Sequence, residues 1–334
     1  MITRLLIILS LLFQSVFSLL LTSFNKENPV RLKEIFSKEV VLPLESSEEK
    51  NKPSDQRVVL GKKSVRLSIE PDTEIPKIPQ KISDNQEIKI FAKAALVMDR
   101  KSKAVLFEKN AYQKLSQASL TKIMSALIVL ESGINLDQMI TVSSQAANIE
   151  PKDIRLQAGE KMTAKDLLYA SLLASANDAV LALAEYVGPG VNKFVEKMNK
   201  KAEDLKLRDT HFANPTGLDK EENYSTAYDL ARLLDYALEN EVLRKILGTK
   251  EYTAISSKGQ KHWFKDTNDL LGTPGILGGK TGFTDKAGWC LAEVAQNKQG
   301  NEIISIVLGA PSKEARFQET KDLIDWTFRN YKWE

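Results

Sequence analysis

Ser119-Leu120-Thr121-Lys122-Ile123-Met124-Ser125-Ala126-Leu127-Ile128-Val129-Leu130 is apolar on nearly every side. A helix without a polar face belongs inside a domain, not on its surface. Ser119 and Lys122 stand three apart at its start, and residues three apart share a helix face with about 5–6 Å between Cβ atoms. At the helix start the positive end of the dipole favours developing negative charge. A serine hydroxyl is a weak nucleophile until a neighbouring base takes its proton. Lys122 is such a base only when neutral, and burial or a second nearby cation pushes a lysine that way. Bringing a lysine from about 10.4 to about 7 costs about 4.6 kcal/mol, which the fold must supply. By itself an S-x-x-K pattern arises by chance in many helices.

Outward from this helix, the apolar runs 94–98 and 104–107 flank Asp99-Arg100-Lys101-Ser102-Lys103 and read as a hairpin. Thr163 suits the cap of a helix through Leu167, Leu168 and Leu172. A second helix begins near Asp178, and a third carries Phe194, Met198, Ala202 and Leu205 on one face. Apolar strands return at 287–294 and 303–308, followed by an amphipathic helix with Phe317, Leu323, Ile324, Trp326 and Phe328. Strands at both ends with helices between predict an α/β (α+β) domain: an antiparallel sheet closed by distant segments, flanked by helices, with a helical subdomain.

Two further short patterns stand out. In Ser175-Ala176-Asn177 the hydroxyl can relay a proton and the amide can hold a substrate amide; helix capping is the plainer reading. In Gly278-Gly279-Lys280-Thr281-Gly282, Gly282 lets a ligand backbone approach, Lys280 supplies fixed positive charge and Thr281 a donor for a carboxylate; a glycine-rich turn is the plainer reading there. The order S-x-x-K, S-x-N, K-T-G is the set known from penicillin-binding proteins and β-lactamases.

The surroundings carry the resemblance further. Ala118-Ser119-Leu120-Thr121-Lys122-Ile123-Met124, Ser175-Ala176-Asn177-Asp178-Ala179, Phe212-Ala213-Asn214-Pro215-Thr216-Gly217-Leu218, Ser225-Thr226-Ala227-Tyr228-Asp229, Lys280-Thr281-Gly282-Phe283-Thr284 and Ala287-Gly288-Trp289-Cys290 together resemble the D-alanyl-D-alanine carboxypeptidases, the low-molecular-mass penicillin-binding proteins. The resemblance covers about residues 90–334. It implies a β-lactamase/transpeptidase-like fold and an acyl-enzyme on Ser119, formed from a peptidoglycan stem peptide ending in D-Ala-D-Ala. It implies Lys122 as base and Ser175 with Lys280 as the relay to the leaving amine. Backbone N–H groups of Ser119 and Phe283 would form the oxyanion hole, Asn177 would bind substrate amide, and Thr281 and Arg316 would bind the terminal carboxylate. β-Lactams would imitate the substrate and acylate Ser119. Gln117 departs from the proline usual in the family at that place, which bears on loop geometry alone. An endopeptidase, a β-lactamase and a non-catalytic wall-binding relative are the alternatives on the same fold.

Composition narrows the rest. The chain has 334 residues, 43% hydrophobic, with a net charge of +3, one cysteine and two histidines. No basic block points to nucleic acid. An intrachain disulfide framework is excluded, and no metal or other cofactor is expected. No H-E-x-x-H and no G-x-S-x-G occurs, which argues against a metalloprotease and an α/β-hydrolase. His211 reads as structural and Cys290 as a small core residue. Arg4 followed by an uncharged apolar run predicts a signal peptide or an N-terminal membrane anchor over 1–24. Either places the rest outside the cytoplasm, periplasmic or at the cell surface. Residues 25–87 hold Pro29, Pro43, Pro53, Pro71, Pro76 and Pro79 among many charges and one aromatic, Phe36. Such a stretch predicts a largely disordered linker, leaving 88–334 as the catalytic domain. Many relatives continue into a β-rich domain and a C-terminal anchor. Neither fits this length, so attachment, if any, would come from the N-terminus.

Overall fold

The structure, a computed structural model, describes residues 76–83, 87–150 and 154–334. The export or anchor segment expected over 1–24, and most of the linker expected over 25–87, lie outside the described residues.

The main sheet has five strands: β1 (Ala94–Asp99), β2 (Val105–Lys109), β3 (Ile276–Thr284), β4 (Gly288–Gln296) and β5 (Glu302–Ala310). Their order is β2-β1-β5-β4-β3, and each neighbouring pair is antiparallel. As the sequence predicts, the sheet is closed by distant segments: Ile303 to Leu308 of β5 pair with Asp99 to Ala94 of β1. The period-2 alternation of strands explains its two faces. Leu96, Met98, Cys290, Ala292, Val294, Ile304 and Ile306 point into the larger core with most helices. Ala95, Val97, Ala295, Ile303 and Val307 point to a second core with Leu323 and Ile324 of the C-terminal helix. The result is three layers.

Among the described residues the α-helices are α1 (Thr121–Glu131), α2 (Ser144–Ala147), α3 (Ala164–Leu173), α4 (Asn177–Val187), α5 (Val191–Asp204), α6 (Ala227–Ala237), α7 (Glu241–Leu247) and α8 (Lys313–Asn330). α1 is buried along nine of its eleven residues, so its uniform apolarity reflects a central position. Thr163, Thr226 and Ser312 cap α3, α6 and α8, each side chain accepting from a backbone N–H three residues on.

One boundary differs from the sequence reading. Gln80–Lys81 forms a short strand antiparallel to Tyr331–Lys332, and Ile82 N–H donates to Asn330 O at 2.8 Å. Residues 80–82 are therefore part of the domain, not the linker. A two-residue strand with both side chains exposed has no periodicity to reveal it.

Candidate active site

Ser119 lies in a 3₁₀ turn, Ala118–Leu120, that runs straight into α1. It is half-buried, so its hydroxyl is reachable. Ala118, the residue before it, has φ 48, left-handed for a side-chain-bearing residue. Such conformations cost about 1–3 kcal/mol and persist where surrounding structure imposes them. Here two glycines impose it. Gly217, at φ +88, is packed so closely that a Cβ there would lie 1.9 Å from Ala118 O and 2.9 Å from Ser119 N. From β3, a Cβ on Gly282 would meet Ala118 Cβ at 3.1 Å and Ser119 N at 3.2 Å. The nucleophile turn is clamped between two backbones, which places Gly282 of the K-T-G strand against Ser119.

Lys122 is fully buried. Its Nζ lies 2.9 Å from Ser119 Oγ, 2.8 Å from Asn177 Oδ1 and 2.7 Å from Thr216 O. Two of these neighbours, an amide oxygen and a carbonyl, only accept, whereas a hydroxyl can donate or accept. Nζ can donate to all three, and because the Ser119 hydroxyl alone among them can also donate, an Nζ that has given up one proton could accept from it while still donating to Asn177 and Thr216. Thr216 was not singled out by the sequence reading, because its contribution is a backbone carbonyl that no residue type announces. Asn214 holds this turn: its Oδ1 accepts from the N–H groups of Thr216 and Gly217 at 3.1 and 2.7 Å.

Asn177 is the first residue of α4. Ser175 precedes it at φ 59 and is buried. This second left-handed residue turns the chain sharply from α3 to α4 and brings Asn177 to Lys122.

Lys280, Thr281, Gly282 and Phe283 lie on β3, a strand and not the glycine-rich turn of the plainer reading. Lys280 is 1% exposed, and its Nζ donates to Thr281 O at 2.9 Å. The Thr281 hydroxyl is within hydrogen-bond distance of the Thr267 hydroxyl. Thr267 N–H in turn donates to Leu173 O at the end of α3, two residues before Ser175. Phe283 is half-exposed, its ring 4.1 Å from that of Trp289. Arg316, in the first turn of α8, is buried behind β3. Its Nη1 donates to Gly282 O at 3.3 Å and Cys290 O at 3.4 Å, and its guanidinium lies 4.3 Å from the Phe317 ring centre. Burial lowers its pKa to about 10, so it stays a cation at neutral pH. Asp219 joins the two sides of this end of the site: Ser116 and Thr284 hydroxyls both donate to its Oδ1, at 3.1 and 2.8 Å.

The other sequence readings resolve simply. His262 is buried against Glu160, Nε2 to Oε1 2.7 Å. His211 Nδ1 lies 2.7 Å from Glu222 O, away from the nucleophile turn contacts described above. Cys290 is buried, and burial pushes its thiol up to about 11. Among the described residues no cluster of three or more His, Cys, Asp or Glu could hold a metal ion.

A buried carboxyl escaped the sequence reading. Glu293 sits in the apolar run of β4, opposite Gly279. It accepts from Asn268 Nδ2 at 2.7 Å, and Asn268 N–H donates to Asp266 Oδ1. It thereby ties the loop carrying Thr267 to the K-T-G strand. Burial pushes its carboxyl up to about 8, against an ordinary value of 4.5. At neutral pH the folded protein keeps a proton there that the unfolded chain has lost, so this group's contribution falls as pH rises from about 4.5 to about 8. Glu293→Gln should therefore stabilise the protein by about 3 kcal/mol at pH 7, at about 1.36 kcal/mol per unit, with the gain vanishing near pH 4.5. Thermal melts of both proteins across this range check it; a pH-independent difference would contradict the buried-proton account.

Comparison with known proteins agrees with this geometry. Residues 80–312 match the model of the Peptidase S11 family, D-alanyl-D-alanine carboxypeptidase. A D-alanyl-D-alanine carboxypeptidase of Bacillus subtilis is 38% identical over 246 residues, 72% of this chain and 63% of that protein. A D-alanyl-D-alanine endopeptidase of Pseudomonas aeruginosa is 33% identical, covering 70% of this chain and 76% of its own length. The crystal structure of a Streptomyces DD-transpeptidase superposes with a TM-score of 0.70 at 32% identity, over 73% of this chain and 99% of that one. With Ser119 and Asn177 meeting at one buried lysine, and Gly282 of the K-T-G strand against Ser119, this chain belongs to the D-alanyl-D-alanine carboxypeptidase family of serine peptidases.

Proposed function

We propose that this protein removes the terminal D-Ala from peptidoglycan stem peptides through an acyl-enzyme on Ser119. The observation that carries the reading is the 2.9 Å contact of the fully buried Lys122 Nζ with the Ser119 hydroxyl, since burial disfavours the charged form of an amine. Ser119 Oγ attacks the carbonyl of the penultimate D-Ala while Lys122 takes its proton. The tetrahedral oxyanion is met by backbone N–H groups of Ser119 and Phe283, a device worth about 2.7–4 kcal/mol per donor. Ser175 and Lys280 pass a proton to the departing amine, and the C–N bond breaks to release D-Ala. Asn177 holds substrate amide as well as Lys122. Thr281 and the Arg316 charge behind Gly282 favour the substrate carboxylate. Water then frees the shortened peptide. Such a substrate places the domain outside the cytoplasm, periplasmic or at the cell surface, as the N-terminal apolar run also suggests; an uncleaved run would add a membrane attachment.

The test is D-Ala release from a stem pentapeptide, together with intact-mass analysis after penicillin treatment. One lasting covalent adduct and measurable D-Ala release are expected. Well-folded protein that does neither refutes the proposal. Rapid loss of the adduct would favour a β-lactamase instead. The relatives named endopeptidases favour one second reading, cleavage of a D-Ala cross-link by the same acyl-enzyme chemistry; cross-linked dimer as substrate separates the two.

A further inference from the structure

The hairpin of strands Glu251–Ile255 and Lys261–Lys265 stands outside the three motifs. One of its faces is anchored. Ala254, His262 and Phe264 are buried, His262 pairs with Glu160, Tyr252 donates to Asp166 at 2.7 Å, and the Tyr252 ring stacks on Tyr169 at 3.9 Å. These contacts hold the hairpin rigidly on the domain. Its other face is open. Trp263 is 63% exposed and Ile255 53%. Trp263 lies opposite Thr253, with Lys261 and Lys265 on either side of it along the strand, and Lys258 in the exposed turn. Glu251 is the one acid on this face. A large aromatic left bare on a preordered hairpin face, flanked by lysines, is a platform on which a ring can stack with cations beside it.

Its location ties it to the catalytic centre. The strand carrying Trp263 continues into Asp266 and Thr267, whose N–H meets Leu173 O and whose hydroxyl meets Thr281. Trp263 and Thr267 are four positions apart, about 13 Å at strand spacing. The hairpin grows from the rim of the site, within reach of a polymer whose peptide branch occupies it.

We propose that the open face of this hairpin is a subsite for the polymer that bears the peptide: a sugar ring stacks on Trp263 while peptide or sugar carboxylates meet Lys261 and Lys265. The inference rests on the proposed function and deepens it. A flat ring beside hydrogen-bond donors and cations suits an acidic glycopeptide. Two large apolar side chains among lysines and Thr253 offer too little apolar surface for insertion into a lipid bilayer, which makes a membrane the less favoured partner.

The experiment uses the full chain with Trp263→Ala, Trp263→Tyr and the pair Lys261→Glu/Lys265→Glu. Readouts are co-sedimentation with insoluble peptidoglycan, co-sedimentation with anionic phospholipid vesicles, D-Ala release from soluble pentapeptide and from polymeric peptidoglycan, and penicillin acylation. Trp263→Ala should weaken peptidoglycan binding and polymer turnover by about tenfold, with Trp263→Tyr close to wild type. The double charge reversal should weaken binding more at low salt than at high salt. Soluble-peptide turnover and acylation should stay within twofold. Unchanged peptidoglycan binding by Trp263→Ala overturns the proposal, as does an equal loss on soluble peptide or a loss confined to vesicles. Binding is read without turnover, so a wild type that bound peptidoglycan through Trp263 but released no D-Ala would refute the proposed activity and leave the subsite standing.

Discussion

Lys122→Met should be acylated by penicillin 10³- to 10⁴-fold more slowly than the wild type, the upper part of the range for loss of a positioned general base. The nucleophile remains in place, and so do the backbone donors around it, so acylation slows rather than ceases. Methionine approximates the length of the lysine stem and suits an apolar helix, so α1 keeps its packing. What it cannot do is donate to Asn177 Oδ1 and Thr216 O, which receive Lys122 Nζ in the wild type. Leaving such buried acceptors unmet costs about 1–3 kcal/mol each. Removing a buried amine works in the opposite direction, because its desolvation was unfavourable. The two effects offset in part, and the melting temperature should fall by only a few degrees. Lys122→Arg discriminates between two roles. A guanidinium supplies a permanent positive charge and donors but cannot accept a proton, so it should not restore the rate. Time-resolved intact-mass measurement gives both rates, with Ser119→Ala locating the adduct. Acylation of Lys122→Met within tenfold of wild type would remove Lys122 from the proton-transfer role.

How much of this arrangement could be read in advance depends on whether a role belongs to a side chain or to a backbone. Ser119, Lys122, Ser175, Asn177 and Lys280 announce themselves because their chemistry lies in their side chains and their spacing is short. The sheet was legible for a different reason: the runs at 94–98 and 303–308 are apolar on both faces, as strands covered by helices on both sides must be. Thr216 and Gly217 were quoted for their resemblance, yet their work is done by a carbonyl and by the absence of a Cβ, and neither property shows in a residue pattern. Glu293 went unread for the opposite reason. One acid in an apolar strand reads as a solvent-facing position, and only the fold reveals that it keeps its proton and braces the 266–268 loop. The 251–265 hairpin carried a usable signal that went unread. Tyr252, Thr253 and Ile255 before the Ser257-Lys258-Gly259 turn, and Trp263 and Phe264 after it, are aromatic or β-branched residues that favour strands.

Gly217→Ala should slow acylation at least 100-fold and destabilise the domain by about 2–4 kcal/mol, although the substitution touches no group that reacts. Two effects combine. At φ +88 any side chain is strained, at about 1–2 kcal/mol. The new Cβ would also lie 1.9 Å from Ala118 O and 2.4 Å from Ala118 C, both backbone atoms in a turn already held left-handed. Relief requires a movement of more than 1 Å between the 214–217 turn and the 118–119 turn. Any such movement shifts Ser119 relative to Lys122, because Lys122 is hydrogen-bonded to Thr216, the residue before the glycine. Gly259→Ala is the control that separates the effects. It lies at φ +82 in the turn of the 251–265 hairpin with nothing within 4 Å of the added Cβ, so it carries the strain without the collision. That variant should lose about 1–2 kcal/mol and acylate at the wild-type rate. Thermal melts and acylation rates of the two variants, measured side by side, therefore isolate the displacement of the nucleophile. If Gly217→Ala acylates within threefold of Gly259→Ala, the clamp does not set the position of Ser119, and the reactivity of that hydroxyl must be assigned to Lys122 alone.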